Sequence, residues 1–434
     1  MAARRPDSPP SAAEPVRIER VGADGDGVAR DAAGAPLYIP FTLPGEAVRA
    51  RPVAPRGAGR AAVAEQIDAA SAERVSPPCR HFGACGGCAL QHWAAAPYQA
   101  WKAALLAAAL RRAGYDALPA PLQPLPPRTR RRLDFAVRRR GSAIVLGLHA
   151  ARSGDIVDLA GCEVLHPTLA ALLAPLRRLL GGLTALRREG AVIVNLLDSG
   201  PDLLLRTDAA LTAGDRIRLT GFAAQHGAPR IAWAQGSFSP EIACLLRPAT
   251  TQLGGVTVAP PPGAFLQASA QGEAAIVAAM LAGLDDRMPQ RARIAELHAG
   301  CGTLTFPLAG RARVAAFEAD AAAAAALLAA VNANRLAGRI SVARRDLVRQ
   351  PLAAAELAGF AAIVLDPPQA GAAAQIAQVA ASSIGRVVYV SCSPPALARD
   401  AALLRAGGYR LLSAVPIDQF LWSPRLESVS VFAR

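Results

Sequence analysis

The chain has 434 residues, of which 52% are hydrophobic, so it is long enough for about three domains and apolar enough to bury a substantial core. No apolar run reaches the roughly 18 residues that a membrane helix needs. Residues 1–14 lack the apolar core of a secretory signal. These features argue against a membrane-spanning or secreted protein, and we expect a cytoplasmic chain with a disordered tail over residues 1–14.

The chain carries a strong positive charge. Lysine and arginine outnumber aspartate and glutamate by 47 to 33, a formal net charge of +14. A genome rich in arginine codons explains why Lys102 is the only lysine, but it does not explain the excess of positive charge. The excess favours a polyanionic partner, most often a nucleic acid, over a basic protein without such a partner.

The N-terminal part shows three patterns in order. Residues 15–68 contain short alternating segments broken by Gly and Pro, which predict a small antiparallel barrel. A group of cysteines follows in residues 69–92. The segment "PYQAWKAALLAAALRRAGY" then predicts one amphipathic helix that ends near Gly114, before a Pro-rich connector.

The remainder of the chain changes its pattern near residue 263. From Arg128 to about Gly255 it is mainly strands, with one helix around Pro167–Leu180. From about Gly263, strands alternate with alanine-rich helices, which predicts an α/β fold with a parallel sheet covered by helices. We assign residues 69–92 and 125–262 to a mainly-β central domain, and residues 93–124 and 263–434 to the α/β domain.

The cysteines suggest a metal centre. Cys79, Cys85 and Cys88 crowd into ten residues, and Cys162 lies far along the chain. Clustering of this kind in a cytosolic chain favours a metal or cluster site over disulfides. A structural zinc site usually draws on two paired cysteine knuckles, and only one C-x2-C is present here. Three thiolates plus a distant fourth fit a [4Fe–4S] cluster better, with zinc or unliganded thiols as the alternatives.

Acidic residues close successive strands of the α/β domain. A Gly-x-Gly turn, Gly300 and Gly302, follows the first strand, and the next three strands end near Glu318, Asp346 and Asp366. Ligands of such sheets bind beyond the carboxyl ends of the strands, where these side chains could accept hydrogen bonds from a ribose and an adenine. A third spaced glycine is absent, so the pattern looks more like a class I S-adenosylmethionine methyltransferase than a dehydrogenase. The simpler alternative for Asp346 and Asp366 is a helix N-cap.

The stretch "VVYVSCSPPALARD" places Cys392 at the next strand end. A thiol beside a methyl donor has a clear use, because addition of a thiolate to carbon 6 of a pyrimidine makes carbon 5 nucleophilic. A base must then remove the carbon 5 proton, and Glu427 in "DQFLWSPRLESVSVFAR" is the candidate. The alternatives are an inert buried cysteine and a surface glutamate.

Four segments together carry a family resemblance: "SCSPPALARD", "LDPPQAG", "LESVSVF" and "CRHFGACGGCALQHW". They resemble the RNA (uracil-5)-methyltransferases, closest to the bacterial ribosomal RNA branch with a TRAM domain and an iron–sulfur cluster. The resemblance runs from about residue 15 to the C-terminus. It implies that residues 15–68 form a TRAM domain of OB-like shape, that the α/β domain is a Rossmann-like class I methyltransferase domain, and that Cys392 is the nucleophile and Glu427 the base. Implied contacts to S-adenosylmethionine come from Gln267, His298, Glu318, Asp346 and Asp366, and the implied cluster ligands are Cys79, Cys85, Cys88 and Cys162.

Several residues depart from the family pattern, namely Glu296, His298, Thr303, Gln369, Ser393, Ser269 and the "RL" of "RLES". The resemblance implies an RNA partner, most often 23S ribosomal RNA, a monomeric enzyme, and a structural or RNA-positioning role for the cluster. The basic segment 128–140, "RTRRRLDFAVRRR", could supply phosphate contacts or be a solvated edge strand. A transfer RNA (uracil-5)-methyltransferase and a non-catalytic iron–sulfur RNA-binding protein are the two competing functions.

Overall fold

The computed structural model describes residues 12–116, 118–285, 288–289 and 291–434. Residues 1–11 of the predicted tail lie outside this range, and Glu14 already begins the first strand. The chain divides into two compact units, one containing the residues up to Trp101 together with 422–425, the other residues 102–421 and 426–434. In the part of the chain just given, every helix is too short or too polar to cross a membrane.

The first unit contains a six-stranded sheet in the order β1-β5-β6-β4-β3-β2. Its strands are β1 Glu14–Arg17, β2 Arg20–Val21, β3 Gly27–Arg30, β4 Pro36–Ile39, β5 Ala47–Arg56 and β6 Gly59–Ala69. Only two residues, Ile18 and Glu19, join the strands at the two ends of this order. One side of this sheet covers a buried apolar cluster that contains Ile18, Leu37 and Ile39. The closed OB-like barrel stays a prediction.

Helix α1, Ala95–Arg112, begins in the first unit and ends in the second. The helix predicted for this segment is therefore present, and Gly114 directly after it has a φ of 86°. Glycine adopts this left-handed conformation without a steric penalty, which makes it the usual residue just past a helix end.

The second unit contains a seven-stranded sheet in the order β13-β12-β11-β10-β7-β8-β9. Its strands are β7 Arg132–Arg140, β8 Ala143–His149, β9 Ile156–Asp158, β10 Glu189–Leu197, β11 Gly200–Thr207, β12 Arg230–Gln235 and β13 Glu241–Leu245. The helices of this segment are α2 Pro167–Ala171, α3 Leu173–Gly182 and α4 Ala213–His226. A small hairpin follows, β14 Thr251–Leu253 and β15 Val256–Val258.

The prediction of a single helix around Pro167–Leu180 is wrong, because the structure has α2 and α3 with a break at Leu172. Pro175 is the third residue of α3 and has no N–H to donate to the carbonyl of Ala171. A proline ring also clashes with the carbonyl four residues before it, so an unbroken helix is disfavoured here.

The α/β sheet of the second unit has the order β18-β17-β16-β19-β20-β22-β21. Its strands are β16 Arg293–Leu297, β17 Arg313–Glu318, β18 Ile340–Arg344, β19 Ala362–Leu365, β20 Arg386–Ser391, β21 Arg410–Ile417 and β22 Glu427–Ala433. The helices are α5 Ala270–Ala282, α6 Thr305–Ala309, α7 Ala321–Ala333, α8 Ala373–Ala381 and α9 Pro394–Ala406. β16 to β20 run parallel, as predicted, and β22 lies antiparallel between β20 and β21. The order reverses between β16 and β19, which places a crevice at their carboxyl ends.

Side chains of the parallel strands alternate between two buried clusters. Ile294, Val364 and Val388 belong to one cluster, with residues of α5, α6 and α7. Ile363 and Val387 belong to the other cluster, with residues of α1, α8 and α9. The period of two along each strand explains why these strands are apolar throughout, since both faces are covered by helices.

Lys102, the only lysine, is completely buried in the second unit. Its Nζ donates to Asp418 Oδ1 at 2.7 Å and to the Phe420 carbonyl at 3.1 Å. Burial lowers the pKa of Lys102, and the charge and hydrogen bond of Asp418 oppose this effect. The pair holds residues 418–420 against α1.

Lys102→Met is expected to lower the free energy of unfolding by about 3–5 kcal/mol, because it leaves the Asp418 carboxylate buried without its cation. Urea unfolding followed by circular dichroism measures the change. Lys102→Met combined with Asp418→Asn should recover part of the loss. Equal losses for the single and double variants would show that the ion pair is not the cause.

Candidate active site

The turn after β16 has two glycines with different roles. Gly300 has a φ of 56°, and a Cβ built there would meet no atom within 4 Å, so its backbone faces open space. Gly302 has a φ of 105°, and a Cβ there would lie 2.5 Å from the ring of Phe306. Gly302 is therefore required for packing, whereas Gly300 allows a ligand to approach the backbone closely.

Glu318, the last residue of β17, fixes this turn. Its carboxylate accepts from the Gly300 N–H at 2.7 Å and from the Asp320 N–H at 2.7 Å. Each carboxylate oxygen can accept more than one hydrogen bond, so capacity remains for hydroxyl groups of a ligand. The predicted position of Glu318 at the strand end is confirmed.

Asp346 and Asp366 behave differently. Asp346, two residues after β18, accepts from the N–H groups of Val348 and Arg349 at 3.0 and 3.3 Å within a turn. Among the described residues no helix begins there, so the helix N-cap alternative is wrong for Asp346. Asp366, directly after β19, instead accepts from Gln267 Nε2 at 2.8 Å. Asp366 thus links the sheet edge to the segment before α5.

His298 follows β16 with a φ of 64°, a left-handed conformation that is uncommon outside glycine and asparagine. Burial lowers its pKa, although Glu318 and Asp346 oppose the shift. A neutral imidazole therefore lies beside the glycine turn.

Glu296, within β16, has a carboxyl group that is buried in the protein interior. It is 1% exposed, and neither carboxylate oxygen has a hydrogen-bond partner among the described residues. Burial raises its pKa to about 8, helped by the charges of Asp366 and Glu318 and partly opposed by the Thr305 hydroxyl. This shift of the pKa favours the protonated form of Glu296 near neutral pH.

Glu296→Gln is expected to change how stability depends on pH. Between pH 4.5 and about 8 the folded protein keeps a proton that the unfolded chain releases, so Glu296 makes the folded state less stable as pH rises. The size is on the order of 4 kcal/mol over this range. Urea unfolding near pH 5 and near pH 8 should show a smaller loss for Glu296→Gln than for the wild type. The exposed Glu189→Gln serves as the control, and equal slopes for all three proteins would contradict the prediction.

Cys392 lies in the short link between β20 and α9 and is half-buried. Ser393 caps α9, since its Oγ accepts from the Ala396 N–H, and Pro394 and Pro395 occupy the first helical positions. Proline has a backbone angle suited to the first turn of a helix, so the segment after the thiol is stiff. The predicted placement of Cys392 at the strand end is confirmed.

Strand register brings Cys392 and Glu427 to the same place. Ser391 pairs with Ser428 in the antiparallel ladder of β20 and β22, and the Ser428 hydroxyl donates to the Ser391 carbonyl at 3.3 Å. Cys392 and Glu427 are each one residue beyond this pair. Residues directly opposed in an antiparallel ladder have side chains on the same face. The register therefore brings these two residues, 35 positions apart in the chain, to the same end of the ladder.

A row of hydrogen bonds joins Glu427 to Asp366. Gln419 Nε2 donates to Glu427 Oε2 at 2.9 Å and to Gln267 Oε1 at 2.8 Å, and Gln267 Nε2 donates to Asp366. Gln419 was not identified from the sequence. It gives no motif signal, because only the fold of β21 and β22 brings it to Glu427.

Glu427 is 3% exposed, and its Oε1 has no hydrogen-bond partner among the described residues. Burial raises its pKa well above the usual value, and the charge of Asp366 adds to this shift. The Gln419 side chain and the Ser428 N–H oppose it. Asp366 is shifted in the same direction by burial, with its Gln267 bond opposing. Two acidic groups with raised pKa values therefore line one small region, which is a frequent feature of catalytic sites.

The two serines that depart from the family pattern both cap helices. Ser269 Oγ accepts from the Gly272 N–H at 3.0 Å at the start of α5, and Ser393 has the same role in α9. The family resemblance implies asparagine at both positions, and serine and asparagine are equally good helix N-caps. The substitutions therefore preserve the local structure beside Gln267 and Cys392.

The basic segment 128–140 is less available than its composition indicated. Arg131 is 9% exposed, donates to the Gln267 carbonyl at 3.1 Å and pairs with Glu273. Arg139 donates to the Leu180 and Gly181 carbonyls at the end of α3, at 3.0 and 3.2 Å, and to the Leu186 carbonyl beyond this helix at 2.7 Å. The interpretation of these two arginines as phosphate contacts is therefore wrong, because their guanidinium groups are used inside the fold.

The cysteines predicted as cluster ligands divide between the units, with Cys79, Cys85 and Cys88 in the first and Cys162 in the second. The Gly87 N–H donates to Cys85 Sγ at 3.4 Å. Within the residues that the structure describes, no three histidine, cysteine, aspartate or glutamate side chains are grouped so that they could hold a metal ion.

Comparisons with known proteins identify relatives among the RNA methyltransferases. The family model described as tRNA (uracil-5-)-methyltransferase matches residues 263–434. An uncharacterized RNA methyltransferase of Caulobacter vibrioides is 39% identical over 426 residues, which cover 96% of this chain and 99% of that protein. The 23S rRNA (uracil(1939)-C(5))-methyltransferase of Chromohalobacter salexigens is 35% identical over 453 residues, covering 100% of this chain and 91% of that protein.

Among solved structures, the tRNA (uracil-54, C5)-methyltransferase of Pyrococcus abyssi, in complex with S-adenosyl-L-homocysteine, aligns with a TM-score of 0.70. The match covers 97% of this chain and 100% of that one, at 19% identity. Similarity at this level of identity establishes a shared fold.

Proposed function

Because the chain belongs to the RNA (uracil-5-)-methyltransferase family, we propose that it methylates carbon 5 of a uridine in 23S ribosomal RNA through a covalent enzyme–uracil adduct. As a member of this family, the chain is a methyltransferase. The observation that supports the mechanism is the register of β20 and β22, in which Ser391 pairs with Ser428 and the neighbouring Cys392 and Glu427 lie at the same end of the ladder. The full-length similarity to a 23S rRNA enzyme supports the choice of RNA.

The residues at the carboxyl edge fit S-adenosylmethionine. The Gly300 backbone faces open space, and Glu318 beside it can accept from ribose hydroxyls. Asp346, Asp366, Gln267 and His298 complete the proposed contacts. S-adenosylmethionine supplies an electrophilic methyl group when it is bound there.

Cys392 begins the proposed reaction as a thiolate. Its sulfur forms a bond to carbon 6 of the uracil, and the electron pair of the 5,6 double bond moves into an enolate. Carbon 5 then takes the methyl group. The helix that follows Cys392 presents its N-terminal end to the thiol, and that end of a helix favours negative charge.

Glu427 completes the reaction as the base. Its carboxylate takes the proton from carbon 5, the double bond forms again and the bond from carbon 6 to sulfur breaks. The thiolate is regenerated, and the proton on Glu427 passes to solvent. The Oε1 atom, which has no partner among the described residues, is the oxygen available for this step.

A transfer RNA substrate is the second candidate, favoured by the description of the family model. Purified enzyme should be assayed on fragments of 23S ribosomal RNA and on unmodified transfer RNA, with 5-methyluridine located by mass spectrometry. Ribosomal RNA from a strain that lacks the gene should lose the same 5-methyluridine. Methylation of transfer RNA alone would overturn the choice of RNA.

Two further proposals concern RNA binding and an iron–sulfur cluster. We take residues 15–68 as an RNA-binding TRAM barrel and assign Cys79, Cys85, Cys88 and Cys162 to a [4Fe–4S] cluster, on their spacing and the family resemblance. We also propose that the enzyme is cytoplasmic and monomeric.

Cys88→Ser is expected to reduce bound iron and sulfide strongly when the protein is purified without oxygen. Visible absorption and iron analysis measure the loss, and Cys244→Ser, at a buried cysteine outside the four, is the control. Unchanged iron content in Cys88→Ser, or its absence from the wild type, would remove the cluster from the proposal.

A further inference from the structure

We propose that Gln419 is a positioning residue that holds the base Glu427 in its working orientation and connects it to the cofactor-binding residues; this inference rests on the proposed function. Gln419 lies between β21 and β22 and is 7% exposed. Its role follows from three side-chain hydrogen bonds, the residues they reach and the anchoring of its backbone.

The carboxamide of Gln419 uses all of its donors. Its Nε2 has two N–H groups, one directed at Glu427 Oε2 and one at Gln267 Oε1, at 2.9 and 2.8 Å. Its Oε1 accepts from the Ala268 N–H at 3.1 Å. Since a carboxamide has only two N–H donors, the orientation of the group is fixed.

Hydrogen bonds also restrict the side chains of Gln267 and Glu427, the two partners of Gln419. Gln267 accepts from Gln419 with its oxygen and donates to Asp366 with its nitrogen, so its amide is also held at both ends. Glu427 has one oxygen bound to Gln419 and the other, Oε1, without a partner among the described residues. Gln419 therefore determines which carboxylate oxygen can face the carbon 5 proton.

The backbone around Gln419 is anchored independently. Asp418, immediately before it, is paired with Lys102, and the Asp418 N–H donates to the Gln123 carbonyl at 3.0 Å. Phe420, immediately after it, accepts from Lys102. The side chain of Gln419 thus extends from a segment fixed on both sides, which allows it to orient Glu427.

An uncharged donor suits this position. An arginine or lysine would form an ion pair with Glu427 and weaken it as a base, and a glutamate would repel it. Glutamine donates one hydrogen bond to the anionic carboxylate, and a hydrogen bond to a charged group is stronger than one between neutral groups.

The test uses Gln419→Met, which keeps the length of the side chain and removes its hydrogen bonds. Gln375→Met is the matched control, because Gln375 is also buried and bonded, but only to the backbone of Leu352. Single-turnover reactions use RNA with tritium at carbon 5 of the target uridine. Denaturing gels measure adduct formation, and tritium release measures removal of the proton.

Gln419→Met should form the adduct within about threefold of the wild-type rate and release tritium roughly 10- to 100-fold more slowly, the effect of one hydrogen bond to a charged group. Gln375→Met should slow neither step selectively. If Gln419→Met does not fold, Gln419→Asn takes its place, since its shorter side chain cannot reach both partners. A selective loss of tritium release in either variant supports the inference.

Equal slowing of both steps, or release as fast as in Gln375→Met, would overturn the role of Gln419 while the proposed function stands. A wild-type protein that forms no adduct would instead overturn the proposed function. The wild-type lane of the gel therefore separates the two failures.

Discussion

Cys392→Ala is expected to abolish methyl transfer, with a loss of at least about 10⁴-fold, because it removes the thiolate that forms the bond to carbon 6 in the proposed mechanism. The measurement is incorporation of labelled methyl groups into 23S ribosomal RNA. RNA that contains 5-fluorouracil should trap the wild-type enzyme as a stable adduct, since fluorine at carbon 5 cannot leave as a proton. The variant should form no adduct.

A control variant makes this result specific. Cys301→Ala changes a buried cysteine in the glycine turn, whose thiol pKa is raised to about 12 by burial and by the charges of Glu318 and Asp320, so this thiol stays protonated and unreactive. The Cys301 variant should still form the adduct. Adduct formation by Cys392→Ala would show that another nucleophile acts, and the proposed mechanism would be wrong.

Glu427→Gln is expected to stop the reaction one step later, with a methylated covalent intermediate that accumulates. Removal of a general base typically costs about 10²- to 10⁴-fold, whereas addition of the thiolate does not depend on Glu427. Denaturing gels and mass spectrometry of the trapped complex would show the enzyme, the RNA and the added methyl group together. Wild-type turnover would remove Glu427 from this role.

The pH dependence of the same step has a definite sign. Only the ionised carboxylate can take a proton, and burial together with Asp366 raises the pKa of Glu427. Release of tritium should therefore rise with pH through a range well above the usual pKa of 4.5. Glu427→Gln should lose this dependence, and the exposed Glu241→Gln should keep it.

Much of the site could be predicted from the sequence because parallel strands end at one edge. Glu318, Asp366 and Cys392 each follow an apolar run, and the topology of such sheets brings these ends together. The position of Glu427 next to Cys392 needed a further fact, the register of β22 against β20. Register depends on packing of both faces of the sheet, which a linear pattern does not reveal.

Other features were beyond sequence reasoning for the same reason. The burial of the Glu296 carboxyl and the hydrogen bonds of Gln419 arise from contacts between segments distant in the chain. Arg131 appeared in the sequence as one of many surface cations, yet it is buried against the Gln267 carbonyl. The break between α2 and α3 could have been predicted from the sequence, because Pro175 disfavours an unbroken helix there.

The placement of β22 between two antiparallel neighbours has a consequence for how this sequence can evolve. Residues of β22 pair with β20 on one side and with β21 on the other, so the strand has no free edge along which to slip. Loss of one residue after Glu427 would move the glutamate by one position and turn its side chain to the opposite face. Every residue of β22 is also buried, so packing limits substitutions along the strand as well. The position of the proposed base therefore depends on the length of this segment as much as on the identity of residue 427.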